Sequence, residues 1–360
     1  MVAKFHMIEE ADKKEWNEVV ESCPTAEIFH LYEWGELVRK TYDVRVSRLA
    51  AEANNKIVGI LPFVHFNTPF FGRKIVSLPF ADTAGFCTLH QDSNVSRELV
   101  RELVKSAQGL NVDFIEVRSF RENAADLLET GFTEGFQAFS YRLDTRTPYD
   151  VIWNRYNKKI RHNIRKVKES GLKIREARYK SEVDNYYRIY LERMKDFGTP
   201  PAPITYWKNM WDIFYPKGMM KLIFTVLNGQ PISGFVALLF KKKLYFVLNV
   251  SLTGYWKYYG LNELLFDWYI KYACENGYEL VDFGRTRKGT GVQRFKEKGW
   301  GVVRIPLCTY YYFLCEKTKN PLETVLDTEA NLYSRIWRRL VPTSLTPTLG
   351  RFIRKRIGDV

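Results

Sequence analysis

Between Glu279 and Gly301 six cations, Arg285, Arg287, Lys288, Arg294, Lys296 and Lys298, crowd into twenty-three residues, and after Asp282 only Glu297 opposes them. Leu280, Val281 and Phe283 read as a short buried strand, and Gly284, Gly289 and Gly291 as a loop that turns freely. Cations on a glycine-rich loop at a strand's end suit an anionic ligand. Arg285, next to Gly284, suits a bidentate contact with phosphate or carboxylate. A surface hairpin with solvated Lys and Arg is the alternative.

A second basic stretch spans 149–177 and holds Lys158-Lys-Ile-Arg-His-Asn-Ile-Arg165. It predicts a helix over 153–170 whose apolar stripe is Ile160, Ile164 and Val167. Lys158, Arg161, Arg165 and Lys168 crowd the adjoining faces, where like charges repel by a few tenths of a kcal/mol per pair. An anionic partner would relieve that repulsion; a solvated basic helix is the other reading.

Charge is unevenly spread along the 360 residues. The chain carries +14, but residues 1–150 hold 17 Lys+Arg against 23 Asp+Glu (−6) and residues 151–360 hold 38 against 18 (+20). Any anionic partner therefore belongs to the second half. Nucleic acid, a phosphorylated substrate or an anionic membrane would each fit. Five scattered cysteines, with no C-x-x-C or Cys/His cluster, indicate neither a disulfide framework nor a zinc or other metal site. The first residues lack a secretory apolar run, and no stretch reaches the ~18 apolar residues of a membrane span. The expected compartment is reducing and cytoplasmic.

Element patterns place these residues. Helical spacing marks 12–22 and 31–41, alternation marks strands at 46–53 and 57–66, and Asn54-Asn55 joins them as a hairpin. Strand 74–78, helix 95–108, strand 113–118 and strand 136–143 follow. The second half repeats that order: helices 183–197 and 206–215, strands 219–227 and 232–240 hinged at Asn228-Gly229, strand 244–250, helix 261–276 and strand 280–283. Arg118 and Arg285 end matching strands about 170 residues apart. Two duplicated α+β copies are expected, with domains 1–150 and 151–310, mixed and mostly antiparallel sheets flanked by helices, and a basic tail, 311–360. In that tail, 331–341 and 348–357 read as short basic amphipathic helices, suited to an anionic membrane or to packing on the second domain.

The chain resembles the FemAB-like branch of the GNAT (acyl-CoA N-acyltransferase) superfamily, tandem-GNAT proteins related to the peptidoglycan interpeptide-bridge aminoacyltransferases. The resemblance lies in Phe29-His-Leu-Tyr-Glu-Trp34, Ile57-Val-Gly-Ile-Leu-Pro62 and Val76-Ser-Leu-Pro-Phe-Ala-Asp82 of the first copy. It continues in the 158–165 motif with Gly171, and in Val281-Asp-Phe-Gly-Arg285 and Phe295-Lys-Glu-Lys-Gly-Trp-Gly301 of the second. The long coiled-coil arm of some cross-bridge enzymes is missing, and the tail after Asn331 is additional. The resemblance implies two tandem GNAT-like domains and transfer of an aminoacyl or acyl group to an amine. No Ser-His-Asp or Cys-His arrangement is visible, so direct attack in a ternary complex is the simpler chemistry.

By its place in the Phe-Lys-x-x-Gly-Trp-Gly motif, Lys296 is the first choice for stabilising the transition-state oxyanion, worth on the order of 3 kcal/mol. Arg161 and Arg165, with Lys158, would hold the phosphates of a nucleotide- or lipid-linked acceptor, together with Arg285. Lys257-Tyr-Tyr-Gly260-Leu-Asn262 resembles a degenerate pyrophosphate loop, making Lys257, Gly260 and Asn262 donor-binding candidates at a helix N-terminus. Asp82 would orient or deprotonate the acceptor amine, or form an Asx turn.

Three functions follow as expectations. The first moves an aminoacyl group from aminoacyl-tRNA to the amine of a phosphate-linked cell-envelope precursor. The second uses acyl-CoA to acylate an amino sugar or lipid-linked saccharide. The third is a non-catalytic protein binding RNA or anionic membrane through its basic half. No tightly bound cofactor is expected; aminoacyl-tRNA or acyl-CoA is the donor substrate. tRNA and, through 331–357, the inner face of the cell membrane are the further expected partners.

Overall fold

Two left-handed asparagines, Asn54 (φ 52°) and Asn55 (φ 57°), turn the first hairpin of the computed structural model, which describes residues 3–68, 72–255, 258, 260–315 and 330–358. Positive φ at both positions matches the twist of the flanking strands. Strand β1 (Lys4–Met7) and helices α1 (Lys13–Ser22) and α2 (Tyr32–Tyr42) precede the hairpin of β2 (Val46–Ala53) and β3 (Lys56–Thr68). Then come β4 (Gly72–Val76), β5 (Cys87–Thr88), α3 (Ser93–Gln108), β6 (Phe114–Phe120), α4 (Ala124–Glu129) and β7 (Thr133–Asp144). Strands β2, β3 and β4 pair antiparallel, and β4 pairs parallel with β6. Leu99, Val100, Leu103 and Ala107 on one stripe of α3 bury against that sheet.

The second copy opens with α5 (Tyr149–Arg155), α6 (Lys158–Lys168), β8 (Lys173–Glu176), α7 (Glu182–Phe197) and α8 (Ile204–Phe214). It continues with β9 (Met220–Leu227), β10 (Gln230–Phe240), β11 (Lys243–Ser251), α9 (Leu261–Glu275), β12 (Leu280–Asp282), β13 (Thr286–Arg287) and α10 (Gly291–Glu297). Asn228 (φ 49°) and Gly229 (φ 79°) turn its first hairpin. Again three strands, β9, β10 and β11, pair antiparallel, and the last of them pairs parallel with the strand beyond the helix, β12. This is the repeat read from the sequence, realised as the same order of pairing in both copies. After it come β14 (Val303–Phe313), α11 (Ala330–Leu340) and α12 (Thr346–Ile357).

The chain divides into two units, Met1–Gln137 with Pro306–Tyr333 and Arg351–Val360, and Ala138–Ile305 with Ser334–Gly350. The first unit pairs β1-β2-β3-β4-β6-β14, the second β7-β12-β11-β10-β9-β8. Residues 142–144 of β7 pair with β12, and 307–313 of β14 pair with β6.

Three local expectations change. The basic stretch is not one helix over 153–170: Tyr156 and Asn157 are extended (ψ 143° each) and separate α5 from α6, with Asn157 as the N-cap. The stretch after Gly284 is not loop alone. Thr290 accepts from Gln293 N at 3.1 Å and Gln293 Oε1 accepts from Gly289 N at 2.6 Å, and these bonds start α10. The stretch after Trp300, whose pattern predicts a strand over 302–306 and a separate apolar run over 310–314, is one strand: it continues through Pro306, and the pairing with β6 begins just past it, at Leu307.

Candidate active site

Within the second unit, Val281 and Phe283 anchor β12 in the core, and Asp282 between them is buried. Its carboxylate accepts from Ser140 Oγ, from Arg142 Nε at 3.0 Å and from Gly284 N at 2.8 Å. The chain then turns at Gly284 (φ 74°), a value that glycine adopts without strain. Lys296 reaches this turn from α10. The residue is 6% exposed, and its ammonium donates to Phe283 O, to Gly284 O at 2.9 Å and to Thr286 Oγ1 at 2.8 Å. An ammonium has three donors, so any contact with a reacting oxyanion requires one of these bonds to be released. Arg285, half-buried, sits between two residues that Lys296 holds. The far end of α10 is tied by Tyr141, whose hydroxyl donates to Glu297 Oε1 at 2.8 Å. Burial and that carboxylate push the Tyr141 hydroxyl up to about 12.

The basic helix docks on the same loop. Asn157 N donates to Gly299 O at 2.8 Å, and a Cβ at Gly299 (φ 97°) would lie 2.5 Å from Asn157 Cβ. Tyr156 meets the Trp300 ring edge-on at 5.1 Å. The Phe-Lys-x-x-Gly-Trp-Gly motif thus carries Lys296 on one side and receives the start of α6, with Lys158, on the other. Ile160, Ile164 and Val167 bury as expected, which turns Lys158 and Arg165 to solvent and leaves Arg161 half-buried. Arg161 Nη1 lies 3.5 Å from Asn154 Oδ1, and the Arg165 guanidinium 5.8 Å from the Trp153 ring centre. Among the described residues none of Lys158, Arg161 and Arg165 pairs with a carboxylate. Lys168 lies 3.6 Å from Asp267, whose carboxyl is pushed up by burial and to which Tyr149 donates at 2.7 Å.

Helix α6 packs on the start of α9. A Cβ at Gly260 (φ 99°) would lie 2.7 Å from Asn163 O of α6, and Asn163 Nδ2 donates to Glu263 Oε1 at 3.1 Å. Asn262, exposed, accepts from Asn249 Nδ2 at 3.1 Å. Lys257 lies outside the described residues. Gly260→Ala is expected to lower the unfolding free energy by about 2 kcal/mol more than Gly171→Ala in denaturant titrations. Both glycines have positive φ, but a Cβ at Gly171 meets nothing within 4 Å. Equal losses would mean that α6 does not press on α9.

Asp82 belongs to the first unit, in the loop after β4, and is half-buried. That loop holds two non-glycine residues at positive φ, Leu78 (21°) and Phe80 (60°), with Phe80 stacked on Tyr42 at 4.3 Å. Beneath it lies a pair that the sequence reading missed. Arg118 donates to Glu116 Oε1 from Nε (2.8 Å) and Nη2 (2.6 Å), and from Nη1 to Ala81 O at 3.4 Å. Both side chains are buried. The available signal was the i,i+2 spacing, which puts an acid and a base on one face of an otherwise apolar strand.

Residues 154–297 match the acetyltransferase (GNAT) domain family. No curated protein sequence matches the chain. Among solved structures, FemX superposes with a TM-score of 0.69 at 16% identity, covering 90% of this chain and 99% of FemX. A tandem GNAT protein from the clavulanic acid biosynthesis pathway gives 0.58 at 9% identity, covering 87% of this chain and 98% of that one. L-PGS from Bacillus licheniformis gives 0.58 at 12% identity, covering 92% and 98%. Such identities speak for the fold, and the domain match for the class of enzyme, which sets the non-catalytic reading aside. The chain is an acyltransferase whose residues 154–297 match the acetyltransferase (GNAT) domain and whose fold is that of FemX and of a tandem GNAT protein.

Proposed function

We propose that the chain transfers an aminoacyl group from aminoacyl-tRNA to the amine of a phosphate-linked cell-envelope precursor. The neutral amine attacks the ester carbonyl, the new C–N bond forms, and the ester C–O bond breaks. The amine's proton passes to the departing ribose oxygen. Lys158, Arg161, Arg165 and Arg285 hold acceptor phosphates. Lys296 fixes the turn on either side of Arg285, and on release from one acceptor would meet the oxyanion.

The observation that favours a tRNA-borne donor is the close packing of α6 on the first residue before α9, Gly260. In the GNAT resemblance this is where helix N–H groups would take a pyrophosphate, and here Asn163 of α6 presses on Gly260. The acyl-CoA reading keeps one observation in its favour, the match of 154–297 to an acetyltransferase family.

Purified chain offered aminoacyl-tRNA or acetyl-CoA with a phosphate-linked amine acceptor should form amide only with the tRNA. Turnover with acetyl-CoA alone would overturn the reading. Arg161→Ala and Arg165→Ala are each expected to raise the acceptor KM about 10- to 100-fold with kcat little changed, since each removes a charge-assisted bond.

A further inference from the structure

No helix among the described residues is long and apolar enough to cross a membrane, yet the two tail helices present apolar side chains outward. On α11, Trp337 is buried, and Lys195 Nζ donates to Trp337 O at 2.8 Å and to Val341 O, which ties the helix end to α7. A Cβ at Gly198 would lie 2.5 Å from Ser334 O, so the contact is close. That packing accounts for one face of α11. It does not account for Ile336 and Leu340, one turn apart and 42% and 73% exposed. On α12 the packed face is Thr346 and Gly350, the latter against Pro201. Leu345 just before it (52%), Leu349 (39%) and Phe352 (54%) stand in solvent.

The charges beside these apolar residues have one sign. Residues 331–357 hold seven cations, Arg335, Arg338, Arg339, Arg351, Arg354, Lys355 and Arg356, and no Asp or Glu. Arg335, Arg338 and Arg339 line a hollow of about 350 Å³. Among the described residues Arg335, Arg339 and Arg351 have no carboxylate partner.

We infer that α11 and the start of α12 dock the chain on an anionic lipid bilayer, with Leu340, Leu345 and Leu349 entering the interface and the arginines of α11 taking lipid phosphates. RNA would use the arginines but leave exposed leucines in water, so the apolar residues decide for the bilayer. Docking does not depend on the donor. A chain held in this way meets lipid-borne phosphate acceptors without leaving the surface.

The full chain is sedimented with vesicles of phosphatidylcholine alone or with about 30 mol % phosphatidylglycerol. Binding should be at least about tenfold tighter to the anionic vesicles, and should weaken as salt rises. Leu340→Ser with Leu345→Ser should weaken it about tenfold, and Arg335→Glu with Arg339→Glu should remove it. All four side chains are exposed, so thermal melting should be unchanged and serves as the check on folding. Equal binding to both vesicles, or variants that bind like the parent, would overturn the inference. So would a charge reversal that abolishes tRNA binding while vesicle binding persists. Vesicle binding is read without turnover, so a chain that docks but transfers nothing sinks the activity and not the docking.

Discussion

Lys296→Met is expected to lower the unfolding free energy by about 3 kcal/mol, because two buried carbonyls and a buried hydroxyl lose their donor together. Methionine fills much of the same space, so the loss reports hydrogen bonds rather than a cavity. Transfer should fall at least about 100-fold, measured well below the melting temperature, since the turn carrying Arg285 is no longer held. The two readouts divide the roles open to this residue. Lost turnover with unchanged stability would mean that the ammonium leaves its acceptors and serves the oxyanion directly. Unchanged turnover and unchanged stability would sink both roles.

Arg118→Met should be costlier still, about 3–5 kcal/mol in chemical denaturation. Glu116 would then keep a buried carboxylate whose Oε1 has lost two guanidinium bonds and whose Oε2 has no partner already. The diagnostic variant is the double replacement Glu116→Leu with Arg118→Met. Removing both charges leaves little to desolvate, so most of the loss should return, with a coupling of about 2–3 kcal/mol in the cycle. Arg101→Met, which breaks the exposed Arg101–Glu98 pair, should cost under about 0.5 kcal/mol. If Arg118→Met behaved like Arg101→Met, the pair would be solvated, and the loop carrying Asp82 would rest on something else.

Much of the fold was readable from neighbouring residues. The paired asparagines at 54–55 and the Asn-Gly at 228–229 specify their turns through backbone freedom alone, and the structure turns at both. Helix 261–275 and strand 280–282 appear within a residue of the expected bounds, because period and terminal glycines are local signals. The unread parts have physical causes. Helix α10 hid among cations that read as loop, although Thr290 and Gln293 are a capping pair. The break at Tyr156-Asn157 follows from Asn157 N reaching Gly299 O, a bond across 142 positions that no periodicity reveals.

By itself, the order of amino acids determined where strands and helices form, that they come in two matched copies, and that positive charge gathers in the second. Those properties are sums over near neighbours and over composition. Only the tertiary structure decided that Lys296 points inward among carbonyls, that Glu116 and Arg118 pair while buried, and that α6 packs on the start of α9. Each depends on which distant groups exclude water from a side chain, and the strength of a charge or hydrogen bond is set by that exclusion.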